Sequence, residues 1–244
     1  MTVPIDHARK RLTTALIPPA LSVALLWVVF IADHFLNLRL YRFGVLPRNV
    51  AGLWGILFSP FIHGSWDHLI ANSAPILILG WILVYFYPKA SWRVVVACWG
   101  LGGLWVWSTA RENYHIGASG VIYGLAAFLF FSGLIRRRVS LMGVSLIIVF
   151  LYGSWVWGVL PLEPEKSWES HLFGAFAGAI MAWFYRRTPT AHVPPPLVLE
   201  DGDEPEEQPY LVYEPIIDER DPANTPREPI RFDPKNTDST LPRF

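Results

Sequence analysis

The sequence predicts an all-α, polytopic membrane protein, a bundle of six membrane-spanning helices followed by a disordered tail. Three observations carry this. Of the 244 residues, 52% are hydrophobic and only 16% charged, against about 25% charged in an ordinary soluble domain. Apolar stretches of about 20 residues, the length that crosses a hydrocarbon core, recur along the chain. From Thr188 onward the composition inverts: 13 Asp/Glu stand against 5 Lys/Arg, a net −8, so the remainder carries +8 within a chain of zero net charge.

The chain divides accordingly into a cytoplasmic N-terminal segment (1–14), a membrane domain (15–187) and an acidic, Pro-rich cytoplasmic tail (188–244). Arg9, Lys10 and Arg11 precede the first apolar run, and no small-residue cleavage site follows. That pattern predicts a retained first span. Spans are expected at 15–37, 67–87, 92–110, 116–135, 139–160 and 168–185. Pro18-Pro19 suits the start of the first helix, where a missing N–H is harmless. Between spans one and two, Leu38–Asn49 and the apolar stretch Ala51–Ile62 form a long loop. The latter is too short to cross and is interrupted by Pro60, so it is expected to be interfacial or re-entrant. The tail, with Pro194-Pro195-Pro196 and Glu204-Pro205-Glu206-Glu207, lacks the apolar content to offset its ordering entropy and is expected to be disordered. Cys98 has no partner cysteine and reads as a small packing residue.

Lys and Arg in short loops fix the expected orientation. Arg9–Arg11, Lys89 and Arg93, Arg136–Arg138, and Arg186–Arg187 all fall on one side, which places both termini in the cytoplasm; Arg39, Arg42 and Arg48 in the first loop are the exception. A bacterial inner membrane is the simplest location.

Helix rise then converts sequence into depth. Ser119 lies 17 residues before Arg136, Asn72 17 before Lys89 and His171 15 before Arg186. Each distance corresponds to roughly 22–25 Å of helix, so three polar side chains on three helices share one level near the outer surface. Polar groups inside spans mark function because hydrocarbon cannot solvate them. A serine with a depth-matched histidine fits nucleophilic chemistry: the imidazole takes the hydroxyl proton during attack and returns it to the leaving amine. Ser119 also begins its helix, where backbone N–H groups lack intrahelical partners and can face an oxyanion. His68 and Asn72, four residues apart, share a helix face and could add donors, or could be satisfied structural residues. Gly117, Gly120 and Gly124, facing Gly174 and Gly178, form small-residue strips that let helices approach closely; packing and chemistry are complementary readings of them. Tyr123, one turn below Ser119, supports the histidine or fills the core. Asn113 and His115 read as solvated loop residues, Asp67 and Glu169 as loop or supporting carboxylates, and Trp155 and Trp157 as interfacial aromatics. His63 and His68 are five apart, which argues against an i,i+4 metal chelate; no metal or cofactor is expected.

Together these blocks resemble the rhomboid family of intramembrane serine proteases. His63-x4-His68-x3-Asn72, Gly117-Ala118-Ser119-Gly120-x2-Tyr123-Gly124 and Ser170-His171-x2-Gly174-x3-Gly178 match its motifs over about residues 15–187. The resemblance implies Ser119 as nucleophile and His171 as general base and acid. It places His68, Asn72 and the Ala118 and Ser119 amides at the oxyanion, and Tyr123 beneath the histidine. It also implies hydrolysis of peptide bonds in or beside transmembrane helices of membrane-protein substrates. The expected partners are those substrates and the lipid bilayer; nucleic acid is not among them. Two other readings are a proteolytically silent rhomboid-like protein that binds or escorts membrane clients, and a transporter with a polar His/Asn/Ser path. The chain departs from the family in its first loop, where Leu40-Tyr41-Arg42-Phe43 stands in place of a Trp-Arg pair.

Overall fold

A computed structural model describes residues 5–163 and 166–191. Residues 1–4 and almost all of the acidic tail, for which disorder is expected, lie outside the described residues. The described residues are all-helical: α1 (Ile5–Leu36), α2 (Leu53–Phe58), α3 (Trp66–Phe86), α4 (Ser91–Thr109), α5 (Ser119–Arg136), α6 (Val139–Tyr152) and α7 (Trp168–Phe184), with short 3-10 turns between them. Three helical stretches are long and apolar enough to cross a membrane: Arg9–Leu36, Trp66–Phe86 and Ser119–Arg136. Val50–Phe61 and Val139–Tyr152 are shorter apolar helical segments.

Two element boundaries differ from expectation. Helix α1 begins at Ile5, so Pro18 and Pro19 lie inside it. Each proline removes one helical hydrogen bond, and neighbouring helices make such losses tolerable in apolar surroundings. Pro19 packs where α3 has Gly80, whose absent Cβ would lie 2.8 Å from the Pro19 Cβ. The expected fifth span, 139–160, is helical only to Tyr152 and continues as a 3-10 turn over Gly153–Val159. Two glycines in seven residues weaken regular helix there, each costing about 1 kcal/mol relative to alanine.

The most extensive helix–helix interface joins α5 and α7, and it is a seam of backbone against backbone. A Cβ on Gly174 would lie 1.9 Å from the Gly120 carbonyl oxygen, and one on Gly178 would lie 2.0 Å from that of Gly124. Only glycine allows this approach. Cys98 of α4, buried, closes on the same point: a Cβ on Gly124 would lie 2.6 Å from its Sγ and 3.0 Å from the Gly174 carbonyl oxygen. At the opposite end of α5, Arg136 donates to Ser132 Oγ (3.1 Å) and to the carbonyls of Thr188 (2.8 Å) and Tyr185, tying α5 to the end of α7.

Helix caps separate α5 from its neighbours. Ser65 caps α3 by accepting from the His68 N–H at 3.1 Å, and Ser167 caps α7 by accepting from the Ser170 N–H at 3.4 Å. The N-cap of α5 is Ala118, with no side-chain cap. The first N–H groups of α5 therefore have neither an intrahelical acceptor nor a capping side chain.

Candidate active site

The glycine seam places the start of α5 beside the first turn of α7, and there His171 Nε2 lies 2.9 Å from Ser119 Oγ. His171 Nδ1 lies 2.8 Å from the Gly158 carbonyl oxygen. A carbonyl only accepts, so the neutral ring carries its proton on Nδ1 and offers the Nε2 lone pair to the Ser119 hydroxyl. That tautomer is the one general-base chemistry needs. The Tyr123 ring lies parallel to the imidazole, with centroids 4.1 Å apart and planes 6° apart, so it covers one face of the histidine.

Ser119, His171, His68, Asn72 and Tyr123 line one cavity of about 990 Å³, together with Asp67, Tyr114, Ile116, Gly158, Glu163 and Lys166. The depth-matched trio from three helices is thus brought together. Asn72 is buried, and its Nδ2 donates to the His68 carbonyl at 2.7 Å, which leaves its second N–H for another acceptor. His68 lies so close to Gly117 that a Cβ there would sit 2.5 Å from His68 Nε2; Gly117 also has φ +103°. Both facts demand glycine two residues before the serine. Ala118 is buried at the start of α5, while Gly120 and Gly174 meet across the seam rather than facing the cavity.

No carboxylate contacts His171 through a hydrogen bond among the described residues; the Gly158 carbonyl takes that position. Glu169, read from sequence as a loop or supporting residue, is buried in the first turn of α7 and pairs with Arg111 at 3.3 Å. His115, expected to be solvated, is also buried: its ring meets Ser167 Oγ at 2.6 Å and the Arg111 carbonyl at 3.0 Å. His63 is buried against His68, with ring centroids 4.9 Å apart. Trp157 is exposed, as an interfacial aromatic would be. The side chain of Trp155, read as another such aromatic, lies outside the described residues.

The first loop is held without a Trp-Arg pair. Val45 and His115 exchange both backbone hydrogen bonds, at 3.0 and 2.9 Å. Arg48 Nη1 donates to the Ala110 carbonyl at 2.7 Å, and the Arg48 N–H to Trp107 O at 2.8 Å. The indoles of Trp107 and Trp99 donate to Asn49 O (2.8 Å) and Ile56 O (2.5 Å). These anchors fix the loop against α4 and the segment that leads into Ser119. The only hint of them in the sequence was three arginines on the side where the charge rule expected few.

Apolar helices of this kind around a shared polar cavity define an integral, multi-pass membrane protein. The Rhomboid domain model matches residues 50–188, and the chain belongs to the rhomboid family. It is 37% identical over 171 residues to an uncharacterized protein of Mycobacterium tuberculosis, covering 66% of this chain and 71% of that one. An uncharacterized Mycobacterium leprae protein is 34% identical over 171 residues, 66% and 67% of the two chains. The Bacillus subtilis protein YdcA, named as a candidate rhomboid protease, is 29% identical over 169 residues, 66% and 82% of the two.

Proposed function

We propose that this protein is an intramembrane serine endopeptidase that cleaves peptide bonds in or next to transmembrane helices of other membrane proteins. The observation that carries the reading is the 2.9 Å approach of Ser119 Oγ to His171 Nε2 with Nδ1 held by Gly158. Ser119 Oγ attacks the scissile carbonyl carbon while Nε2 takes its proton. The oxyanion forms beside the uncapped start of α5, where the Ala118 and Ser119 N–H groups stand, with His68 and the second N–H of Asn72 lining the same cavity. The His171 proton then passes to the leaving amine, and a water activated by the same nitrogen hydrolyses the acyl-enzyme ester.

In this reading α1, α3, α4, α5, α6 and α7 are six spans with both termini cytoplasmic, in a bacterial inner membrane. The short α6 and the 3-10 turn after it lie where a substrate helix would enter, between α3 and α6. Such a substrate must present backbone carbonyls, so helix-weakening residues are expected near the cut.

The test is labelling of purified protein with a fluorophosphonate, alongside cleavage of a model transmembrane substrate. Wild type should label and cleave; Ser119→Ala and His171→Ala should do neither. Labelling that survives Ser119→Ala sinks the nucleophile assignment. A folded wild type that neither labels nor cleaves would identify a silent client-binding relative.

A further inference from the structure

The glycine seam holds α5 and α7 together below the Ser–His pair, but the segments entering them are joined by something else. Glu169, two residues before His171, is only 4% exposed, and a buried carboxylate is costly unless paired. Its partner is Arg111, eight residues before Ser119. Arg111 Nε lies 3.3 Å from Glu169 Oε1, and the Arg111 backbone N–H donates to the same oxygen at 3.4 Å. Arg111 Nη2 also donates to the Lys166 carbonyl at 2.5 Å.

Beside the pair runs a second tie. The His115 Nε2–H donates to the Arg111 carbonyl at 3.0 Å, so Nδ1 accepts from the Ser167 hydroxyl at 2.6 Å. Ser167 Oγ meets Ser170 Oγ at 2.6 Å. The contacts from Arg111 to Glu169 and Lys166, and from His115 to Ser167, cross from the segment before the serine to the segment before the histidine. The backbone N–H of Arg111 donates to one oxygen of Glu169, and the guanidinium stands at ion-pair distance from that same oxygen, one short step along the helix from His171. That geometry specifies a spacing, which a greasy contact of equal area would not.

We infer that Arg111 and Glu169 are a positioning pair, setting the Ser119–His171 separation by clamping the serine segment to the first turn of α7. The inference rests on the protease reading above. Glu169 does not serve as a third triad member, because Gly158 occupies the Nδ1 position. It acts through the helix that carries the histidine.

The experiment has a geometric arm and a kinetic arm. In the full-length protein, a Ser119→Cys/His171→Cys pair is oxidised under limiting conditions, and the rate of disulfide formation between the two positions is compared with and without Glu169→Gln. In parallel, kcat and KM for a model transmembrane substrate are measured for Glu169→Gln, Arg111→Gln and the double variant, each normalised to folded protein, with Arg111→Lys as a milder second variant. Expected are cross-linking slowed at least fivefold, kcat reduced about tenfold with KM within twofold, and a double variant no worse than the more impaired single. Unchanged cross-linking by Glu169→Gln overturns the inference whether or not the wild type is active. So do an unchanged kcat, a rise in KM alone, or single-variant losses that multiply in the double. Slowed cross-linking of the Cys pair by Glu169→Gln, alongside a folded wild type that neither labels nor cleaves, would instead keep the positioning role and overturn the protease reading.

Discussion

Substituting alanine for Gly174 puts one methyl group into the α5–α7 seam, where there is no room for it. The new Cβ would sit 1.9 Å from the Gly120 carbonyl oxygen and 2.7 Å from its carbon. A carbon–oxygen contact is comfortable near 3.3 Å, so the helices must part by roughly 1.4 Å along that line. Gly120 adjoins Ser119, and Gly174 is one turn from His171, so most of the separation falls on the 2.9 Å Ser119–His171 approach. That distance becomes about 4 Å, outside hydrogen-bond range. Misplacement by about 1 Å can cost about 100-fold in rate, and that is the expected loss in fluorophosphonate labelling and in substrate cleavage. Overpacking should also lower stability by about 1–3 kcal/mol. Gly100→Ala and Gly143→Ala provide controls, since a Cβ at either position meets nothing within 4 Å, and both should stay within twofold of wild type. The assay is the labelling rate per folded molecule in detergent, with thermal unfolding followed in the same samples. Folded Gly174→Ala protein labelling within twofold of wild type would refute the argument that this seam sets the catalytic distance.

The other predictions concern the residues around the pair. Tyr123→Phe keeps the ring stacked on His171 and should label at nearly the wild-type rate, whereas Tyr123→Ala loses stacking worth about 0.5–1.5 kcal/mol, a two- to tenfold effect; equal losses in both would assign the role to the hydroxyl instead. Arg48→Ala removes a charge-assisted bond to the Ala110 carbonyl worth about 1.5–3 kcal/mol and should lower the melting temperature by several degrees. Glu112→Gln, touching only the exposed end of the same guanidinium, should leave it nearly unchanged; an unaltered melting temperature in Arg48→Ala would remove Arg48 from the loop's anchors. In the loop ahead of α3, burial, and then the neighbouring His68, hold His63 down to about 4, against an ordinary 6.5. The unfolded chain therefore binds this proton first. The neutral ring's contribution is complete above pH 6.5 and is lost as pH falls toward 4, a difference of about 3 kcal/mol. His63→Phe should flatten the fall in melting temperature across that window, and an identical fall in both proteins would be the contrary result.

What the sequence made legible was whatever hydrocarbon makes costly or rise per residue makes countable. Ser119, Asn72 and His171 stood out as polar groups in apolar spans, and counting residues back to the arginines put them at one level; the structure brings all three to one cavity. Gly174 and Gly178 were readable as a packing strip because their spacing puts them on one helix face. The Gly158 carbonyl that orients His171 was invisible, since every residue has a carbonyl and no side chain reports which one turns inward. His115 was misread because a basic residue near a predicted loop looks solvated, and only its contacts with Ser167 and the Arg111 carbonyl reveal that it is buried; Glu169 was readable as a loop or supporting carboxylate, but its buried pairing with Arg111 was not. Helix α1 was read too short for a similar reason: hydropathy reports the apolar part of a helix and misses its polar first turns. The loop anchors Trp99 and Trp107 were hidden among twelve tryptophans whose default reading is core or interface.

The paired backbone bonds between Val45 and His115 have a consequence for how the molecule opens. The same residue that joins the first loop through its backbone holds the cap of α7 through its ring. Detaching the loop therefore breaks the pairing at the point where the histidine helix is tethered, and the two losses belong to one excursion. In the language of opening equilibria, loop and dyad form a single cooperative unit. Amide exchange at Val45 and His115 should follow one rate and speed up together in any variant that loosens either partner. The loop is then less a flap over a finished site than one of the members that keep the site assembled.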